Sequence, residues 1–319
     1  MTILLLSMFV VTQLIGLYVI NSDPFNIATN VKGEVQIIEN PAVSFVQPPE
    51  IEQESDFGFY FTSIVIAFIF SIIILFLLTK FKVDFILRIW FFVVVAIALD
   101  LSLTAILPEI IHSINPLIYY AIPIILAVPL AFIKIFKRNF LVHNLTELLI
   151  YPGIATIFVA ILNFWSILIL LLLISAYDIW AVWHSGIMQR MARYQIDKLK
   201  VFSGFFVPYL SKKVRMQIKK MKKAKIKNKK IKVNIAILGG GDVVFPIITA
   251  GVIFKTASVN LPFGLIFNGG LIPALFVIAG ATLGLALLFI FSEKKKFYPA
   301  MPFITAGILL GLILSYFLS

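Results

Sequence analysis

Three aspartates lie inside long apolar runs, where a carboxylate has little water around it. Asp242 follows three glycines in the stretch "LGGGDVVFP", Asp178 lies in "ISAYDIWAVW", and Asp100 ends "VAIALD". An ionisable group in such a run is costly, so each aspartate is a candidate functional residue. Two carboxylates held together in a low dielectric do not both ionise easily, which supplies one acid and one base. Such a pair can activate water against a peptide bond without a metal.

The composition places these carboxylates in lipid. Of the 319 residues, 61% are hydrophobic and 13% are charged. A soluble core of this size does not need so large an apolar fraction, so most of the chain must face lipid or other lipid-embedded helices. We therefore predict an all-α, polytopic membrane protein. The chain has no cysteine, which excludes a disulfide framework, a thiolate nucleophile and a sulfur-ligated metal.

Runs of about 20 apolar residues predict nine transmembrane helices. They cover residues 2–21, 58–79, 84–107, 116–136, 147–164, 166–186, 233–254, 264–291 and 299–318. Pro123 and Pro129 interrupt the fourth run, and only Asn163 to Ser166 separate the fifth from the sixth. The first run could be a secretory signal peptide, but it lacks a basic leading region and a small-residue cleavage site, so a retained helix is favoured.

The basic residues divide the chain into three parts. Residues 1–186 hold helices one to six, residues 187–232 form a basic loop, and residues 233–319 hold helices seven to nine. Sixteen lysines and arginines lie between Gly186 and Lys232 against the single acid Asp197, so this loop carries the positive charge of the chain. We interpret it as a cytoplasmic topology signal that also lies on anionic membrane lipid. Its most basic run, residues 211–232, has no interleaved aromatic residues, so we predict no nucleic-acid partner.

Orientation follows from the basic connections, which lie at alternate positions along the chain. Short basic loops stay cytoplasmic, so the pattern predicts a cytoplasmic N-terminus and an external C-terminus. Residues 22–57 are then external. Their β-prone pieces "GEVQII" and "AVSFV" predict a hairpin or flap.

Two of the three aspartates are predicted to lie at one depth. Asp178 is about eight residues from the inner end of the sixth span, and Asp242 is about nine from the start of the seventh. At 1.5 Å per residue both lie roughly 12–14 Å from the inner end. Asp100 is nearer the external side, and we interpret it as a structural polar contact, with an ion pathway as the alternative. Spacing alone leaves open peptide hydrolysis, a proton- or cation-coupled transporter or channel, and a structural polar pair.

Other chemistries find little support in the sequence. His184 and Ser185 are adjacent, so on a helix they point about 100° apart and make a poor nucleophile and base. The three histidines, His112, His143 and His184, are scattered over three segments without a zinc motif. No lysine followed by serine or threonine follows the glycines, which argues against a phosphate loop.

Three ordered motifs resemble the GxGD aspartyl intramembrane proteases, the family of presenilin and signal peptide peptidase. They are Tyr177-Asp178 on the sixth span, Gly239-Gly240-Gly241-Asp242 on the seventh, and Pro299-Ala300-Met301 at the start of the ninth. The resemblance covers the whole nine-span layout and implies a presenilin-like fold. It implies catalytic roles for Asp178 and Asp242. It implies substrate-binding roles for Tyr177, Gly239, Gly241, Pro299, Ala300 and Met301.

The residue types agree with those implied roles. Glycines around Asp242 remove side chains, so water and an extended substrate strand can approach the carboxylate. Pro299 and Pro302 remove backbone donors and can hold a non-helical segment beside the cleft. Met301 stands where the family usually has leucine, which alters fine cleft geometry but not the chemistry.

The resemblance also predicts the partners. It implies hydrolysis of peptide bonds within transmembrane proteins or remnant signal peptides, with no cofactor and no metal. The sequence is compatible with a homo-oligomer. In presenilin the connection before the seventh span is cut during maturation, and nothing in residues 187–232 requires such a cut.

Overall fold

A computed structural model describes residues 2–31, 34–49, 51, 53–81, 84–107, 116–137, 139–185, 203–209, 234–262, 266–292 and 298–318. Nine α-helices lie within these residues: α1 (Thr2–Asn21), α2 (Glu54–Phe81), α3 (Asp84–Ile106), α4 (Pro116–Phe132), α5 (Phe140–Ile161), α6 (Phe164–Trp180), α7 (Gly240–Lys255), α8 (Leu271–Phe291) and α9 (Met301–Leu318). Short π-helical turns continue α4 over Ile133–Lys137 and α6 over Ala181–Ser185. Most of the predicted basic loop, including residues 210–233, lies outside the described residues.

The prediction of a polytopic, mainly helical membrane protein is confirmed. Among the described residues, eight helices are at least 18 residues long and apolar enough to cross a membrane, when α4 and α6 are counted with their π-helical turns. α7 has only 16 residues, so the predicted count of nine spans is approximate. The prolines at 123 and 129 do not end α4, which continues through both.

The predicted seventh span, residues 233–254, is wrong over its first part. Asn234–Gly239 forms a strand, β4, paired antiparallel with β3 (Gly204–Tyr209). A helix through residues 239–241 would place three glycines in its interior, each about 1 kcal/mol less favourable than alanine. The isoleucines before them suit a strand. Asp242 therefore lies in the first turn of α7 and not in the middle of a long helix.

Helix boundaries differ from the predictions at two other places. α5 begins at Phe140, seven residues before the predicted start of the fifth span at residue 147. α8 begins at Leu271, because the residues predicted to open the eighth span include strand β6 (Ile266–Asn268), which pairs with β5 (Ser258–Asn260). The predicted break between the fifth and sixth spans is confirmed. There, Asn163 caps α6 by accepting a hydrogen bond from Ser166 N–H at 2.9 Å.

The predicted hairpin in residues 22–57 is confirmed for its first part only. Strands β1 (Asn26–Val31) and β2 (Glu34–Glu39) pair antiparallel. The "AVSFV" piece is not a strand, because Pro41–Val46 forms a 3₁₀-helix. Asn40 accepts a hydrogen bond from Ala42 N–H at 3.1 Å, and the ring of Pro41 fixes a backbone angle that suits the start of a helix.

Helix α5 lies between two packed clusters of buried side chains. Tyr151 and Ala155 join the larger cluster, which also contains residues of α1, α6, α7, α8 and α9. Ile150 joins a second cluster with residues of α3 and α4. Gly153 packs against the Ala98 carbonyl of α3, with no room for a Cβ atom. The side chains that α5 presents are therefore held on a helix fixed from both sides.

The last two helices pack backbone against backbone. A Cβ atom at Gly280 of α8 would collide with the Gly307 carbonyl of α9, and a Cβ atom at Gly307 would collide with Gly280. Such close approach between small residues is a typical way for helices to associate in lipid. It fixes α9, which begins at Met301, the last residue of the Pro-Ala-Met segment.

Candidate active site

Asp178 lies near the end of α6 and points at the start of α9. Its side chain is buried, with the residue 6% exposed. Asp178 Oδ2 accepts a hydrogen bond from Met301 N–H at 3.0 Å, and the Ala300 N–H also hydrogen-bonds to this carboxylate. The first N–H groups of a helix have no partner within the helix. The carboxylate therefore satisfies the otherwise free amides of the Pro-Ala-Met segment.

Asp242 is the third residue of α7. Its carboxylate receives a hydrogen bond from the N–H of Gly239, the residue that caps the helix. This is half of the capping-box arrangement, in which an acidic side chain in the first turn reaches back to the capping residue. The Asp242 residue is half-buried, and its carboxylate is held by the backbone.

The structure brings Asp178 and Asp242 into one electrostatic site. α6 packs against α7, and the charge of Asp178 acts directly on Asp242. Asp100 lies elsewhere, buried on α3, and its Oδ2 has no hydrogen-bond partner among the described residues. The structural role suggested for Asp100 stays a prediction.

The glycines beside Asp242 differ in their surroundings. A Cβ atom at Gly239 would lie 3.1 Å from Asp242 Oδ2, so a larger residue would press on the carboxylate. Gly241 is exposed, and a Cβ atom there would meet only the Phe245 ring, at 3.9 Å. Gly240 is buried, and a Cβ atom there would lie 2.6 Å from Ser203 Oγ and 2.9 Å from the Tyr151 ring. Gly240 thus packs the site, a role that the sequence did not predict.

The other residues singled out by the sequence surround Asp178. Pro299, Ala300 and Met301 are buried. Ser175 Oγ lies 2.8 Å from Thr305 Oγ1, a buried hydrogen bond that joins α6 to α9 one turn from the carboxylate. The ring of Tyr177 packs edge-on against Phe68 of α2, with ring centroids 5.7 Å apart. Tyr177 thus lies between Asp178 and the second helix.

The β3–β4 hairpin leads into the site and has two different edges. Side chains of α5 hydrogen-bond to the backbones of Gly204 and Phe206. Because alternate residues of a strand direct their backbone groups to opposite sides, Phe205 and Val207 must face β4. By the pairing register, Leu238 and Ala236 face them. The backbone groups of Ile235 and Ile237 therefore point away from β3, toward an edge that pairs with no other strand among the described residues and ends at Gly239.

A polar cluster behind β3 was missed from the sequence. Lys134 Nζ contacts Glu147 Oε1 at 2.5 Å, and both side chains are almost fully buried. Lys134 lies near the end of the predicted fourth span, and Glu147 is the first residue of the predicted fifth span. His143 and Glu147 are four residues apart on one face of α5, and this spacing was the signal that could have found the cluster.

The described residues contain no group of three or more His, Cys, Asp or Glu that could hold a metal ion. His112 lies outside the described residues. His184 is exposed on the π-helical turn after α6, and His143 is engaged by Lys134 and by the Gly204 carbonyl. The chemistry available within the described site is that of two carboxylates, backbone amides and water.

Comparison with known proteins identifies the family. The sequence model of the family described as "Signal-peptide peptidase, presenilin aspartyl protease" matches residues 35–319. The chain belongs to this family and is an integral, multi-pass membrane protein with the family's intramembrane aspartyl protease function. No curated protein matches the chain significantly by sequence.

Two solved structures share the fold. Both are crystal structures of a presenilin family intramembrane aspartate protease. The structure in space group C222 aligns with a TM-score of 0.56 and 17% identity over 100% of this chain and 99% of the other. The structure in space group P2 aligns with a TM-score of 0.53 and 14% identity over 99% and 97%. At 17% and 14% sequence identity, the similarity shows a shared fold.

Proposed function

We propose that Asp178 and Asp242 are the catalytic pair of this intramembrane protease. The observation that carries the assignment is that two carboxylates from adjacent helices share one electrostatic site, each held by backbone N–H groups. Two such groups titrate together, so the pair holds one proton and neither residue alone is assigned as the acid.

The pair would hydrolyse the bond in two steps. The ionised carboxylate takes a proton from water as the water oxygen attacks the scissile carbonyl carbon, while the protonated carboxyl gives its proton to the carbonyl oxygen. The carbon–nitrogen bond then breaks as the nitrogen takes up a proton from the pair. One hydroxyl of the tetrahedral intermediate returns a proton to the pair as the carbonyl reforms, so the products are a carboxyl group and an amine and the pair again holds one proton.

The substrate would bind as an extended strand along the free edge of β4. A peptide bond inside a helix is shielded by its own turns, so the substrate must unwind locally. An exposed strand edge supplies backbone hydrogen bonds to the unwound segment. The edge at Ile235 and Ile237 ends at Gly239, next to Asp242. Gly241 would leave space for the substrate chain. On the side of Asp178, the substrate would be flanked by Pro299, Ala300 and Met301. Tyr177 would lie on the side of α2.

The substrate class would be transmembrane segments of membrane proteins or remnant signal peptides. The purified chain, reconstituted in liposomes with a single-span reporter, should produce two fragments. Their masses should locate the cut within the apolar span. The control is a chain carrying Asp178→Asn and Asp242→Asn together, which should produce none. Cuts that lie only outside the span, or equal cutting by the control, would contradict the proposal.

The same assay tests whether the chain works without partner subunits, because no other protein is present. We propose that the chain is active without other proteins, either as a monomer or as a homo-oligomer. Lipid contact by the basic loop stays a prediction, since residues 210–233 lie outside the described part of the chain.

We propose that the N-terminus is cytoplasmic and the C-terminus external. The chain has no cysteine, so one introduced cysteine is a unique label. In intact cells, an impermeant thiol reagent should label Ser22→Cys and Ser319→Cys. It should label Ser211→Cys only after the membrane is permeabilised. The reverse pattern would overturn the orientation.

A further inference from the structure

We propose that His143 and Asn144 of α5, supported by Lys134 and Glu147, are positioning residues of the protease. They occupy the outer edge of β3 in place of a neighbouring strand and so fix the hairpin beside Asp242. The inference rests on the proposed function, since it concerns which peptide bond of the substrate reaches the catalytic pair.

Asn144 contacts β3 as a strand would. Its Nδ2 donates to the Phe206 carbonyl at 2.9 Å, and its Oδ1 accepts from Phe206 N–H at 3.0 Å. A side-chain amide carries one donor group and one acceptor on the same plane, as the backbone does. One side chain therefore satisfies both outward-facing backbone groups of Phe206.

His143 and Glu147 do the same for Gly204. His143 Nε2 lies 2.8 Å from the Gly204 carbonyl, and Gly204 N–H donates to Glu147 Oε1 at 3.3 Å. The next outward-facing residue of β3 is Pro208, which has no N–H to satisfy. A helix thus covers this edge of the sheet with side chains alone.

Lys134 determines which ring nitrogen of His143 carries the proton. Its ammonium group contacts Glu147 Oε1 and lies 3.4 Å from His143 Nδ1. An ammonium group can only donate, so Nδ1 must accept and the imidazole proton must be on Nε2. That nitrogen is the one that faces the Gly204 carbonyl. The lysine therefore selects the tautomer in which His143 donates to β3.

The edge contacts are connected to the catalytic pair through the hairpin. Gly240 N–H donates to the Ser203 carbonyl at 3.2 Å, which continues the pairing of β3 and β4 up to the first residue of α7. Gly239 N–H then holds the Asp242 carboxylate. A slip of one residue in a strand reverses the face of every side chain, so a loosely held hairpin presents more than one register to the substrate. The α5 side chains remove that freedom and leave only the β4 edge for the substrate.

The test compares reporter cleavage by full-length variants in liposomes. Asn144→Leu and His143→Leu remove the edge contacts and should each lower kcat about thirtyfold, with cuts spreading to neighbouring peptide bonds. His143→Gln keeps a donor near the position of Nε2 and should retain the wild-type cutting position. The matched control is Thr146→Val, because among the described residues the Thr146 hydroxyl bonds only to carbonyls of its own helix, those of Val142 and His143.

The proportions of the different cleavage products distinguish a positioning role from a folding defect. Loss of folded enzyme lowers the total rate but leaves the proportions of the products unchanged. Suppose that the wild-type enzyme cuts the reporter and the Asp178→Asn variant does not. Unchanged proportions of the cleavage products in both leucine variants would then overturn this inference and leave the proposed function standing. A spread of cutting positions in Thr146→Val as large as in Asn144→Leu would also overturn it. A wild-type chain that cuts no reporter would overturn the proposed function, and this inference with it.

Discussion

Asp178→Asn and Asp242→Asn should each lower kcat for reporter cleavage by at least about a thousandfold. Asparagine can neither take a proton from water nor give one to the scissile carbonyl, so either change leaves the remaining aspartate without its partner. The rate of fragment formation in liposomes, followed by mass spectrometry, measures the effect.

The same variants should keep their fold. An asparagine at 178 still offers an oxygen to the Met301 N–H, and one at 242 still offers an oxygen to the Gly239 N–H. The control is Asp100→Asn, a change at another buried aspartate, which should stay within about threefold of the wild-type rate. A folded Asp178→Asn or Asp242→Asn chain that retained a tenth of the wild-type rate would remove that residue from the catalytic pair.

Lys134→Met should lower the free energy of unfolding by about 3–5 kcal/mol, because it leaves the buried Glu147 without its counter-charge. The Glu147 side chain is 0% exposed and that of Lys134 is 4% exposed. His143 in its neutral tautomer supplies no compensating charge. Denaturant unfolding of the detergent-solubilised protein measures the loss.

Two further variants show whether the loss comes from the uncompensated charge. Lys134→Met combined with Glu147→Gln removes both charges and should recover most of the stability, as replacing a buried pair by neutral groups often does. Lys255→Met breaks the Lys255–Asp23 pair, whose side chains are 44% and 36% exposed and 3.6 Å apart. It should cost less than about 1 kcal/mol. Equal effects of Lys134→Met and Lys255→Met would contradict the buried-pair explanation.

The sequence was sufficient to predict the helical layout, and it singled out two aspartates whose catalytic role stays a prediction. A carboxylate in an apolar run is conspicuous because little except function or a specific partner offsets its cost. Asp178 and Asp242 were predicted to lie at one depth, and the structure places them in one electrostatic site.

The hairpin and the α5 cluster could not be predicted because their signals are not local. The partner of β4 lies about thirty residues earlier, inside the predicted basic loop, and hydropathy alone does not distinguish an apolar strand from the start of an apolar helix. Lys134 near an apolar run looks like a topology signal until its partner Glu147 is known. Hydrogen bonds from side chains to a strand edge, such as those of Asn144, leave no periodic pattern.

The shortness of α7 has a consequence for the surrounding bilayer. Sixteen residues span about 24 Å, less than the roughly 30 Å of a hydrocarbon core. The β3–β4 hairpin leads into the N-terminal end of α7, and the backbone amides and carbonyls of Ile235 and Ile237 face away from β3. Lipid does not tolerate unpaired backbone groups, so we expect water or a thinned bilayer beside this end of α7. Membrane thickness is therefore expected to be a variable of the reaction.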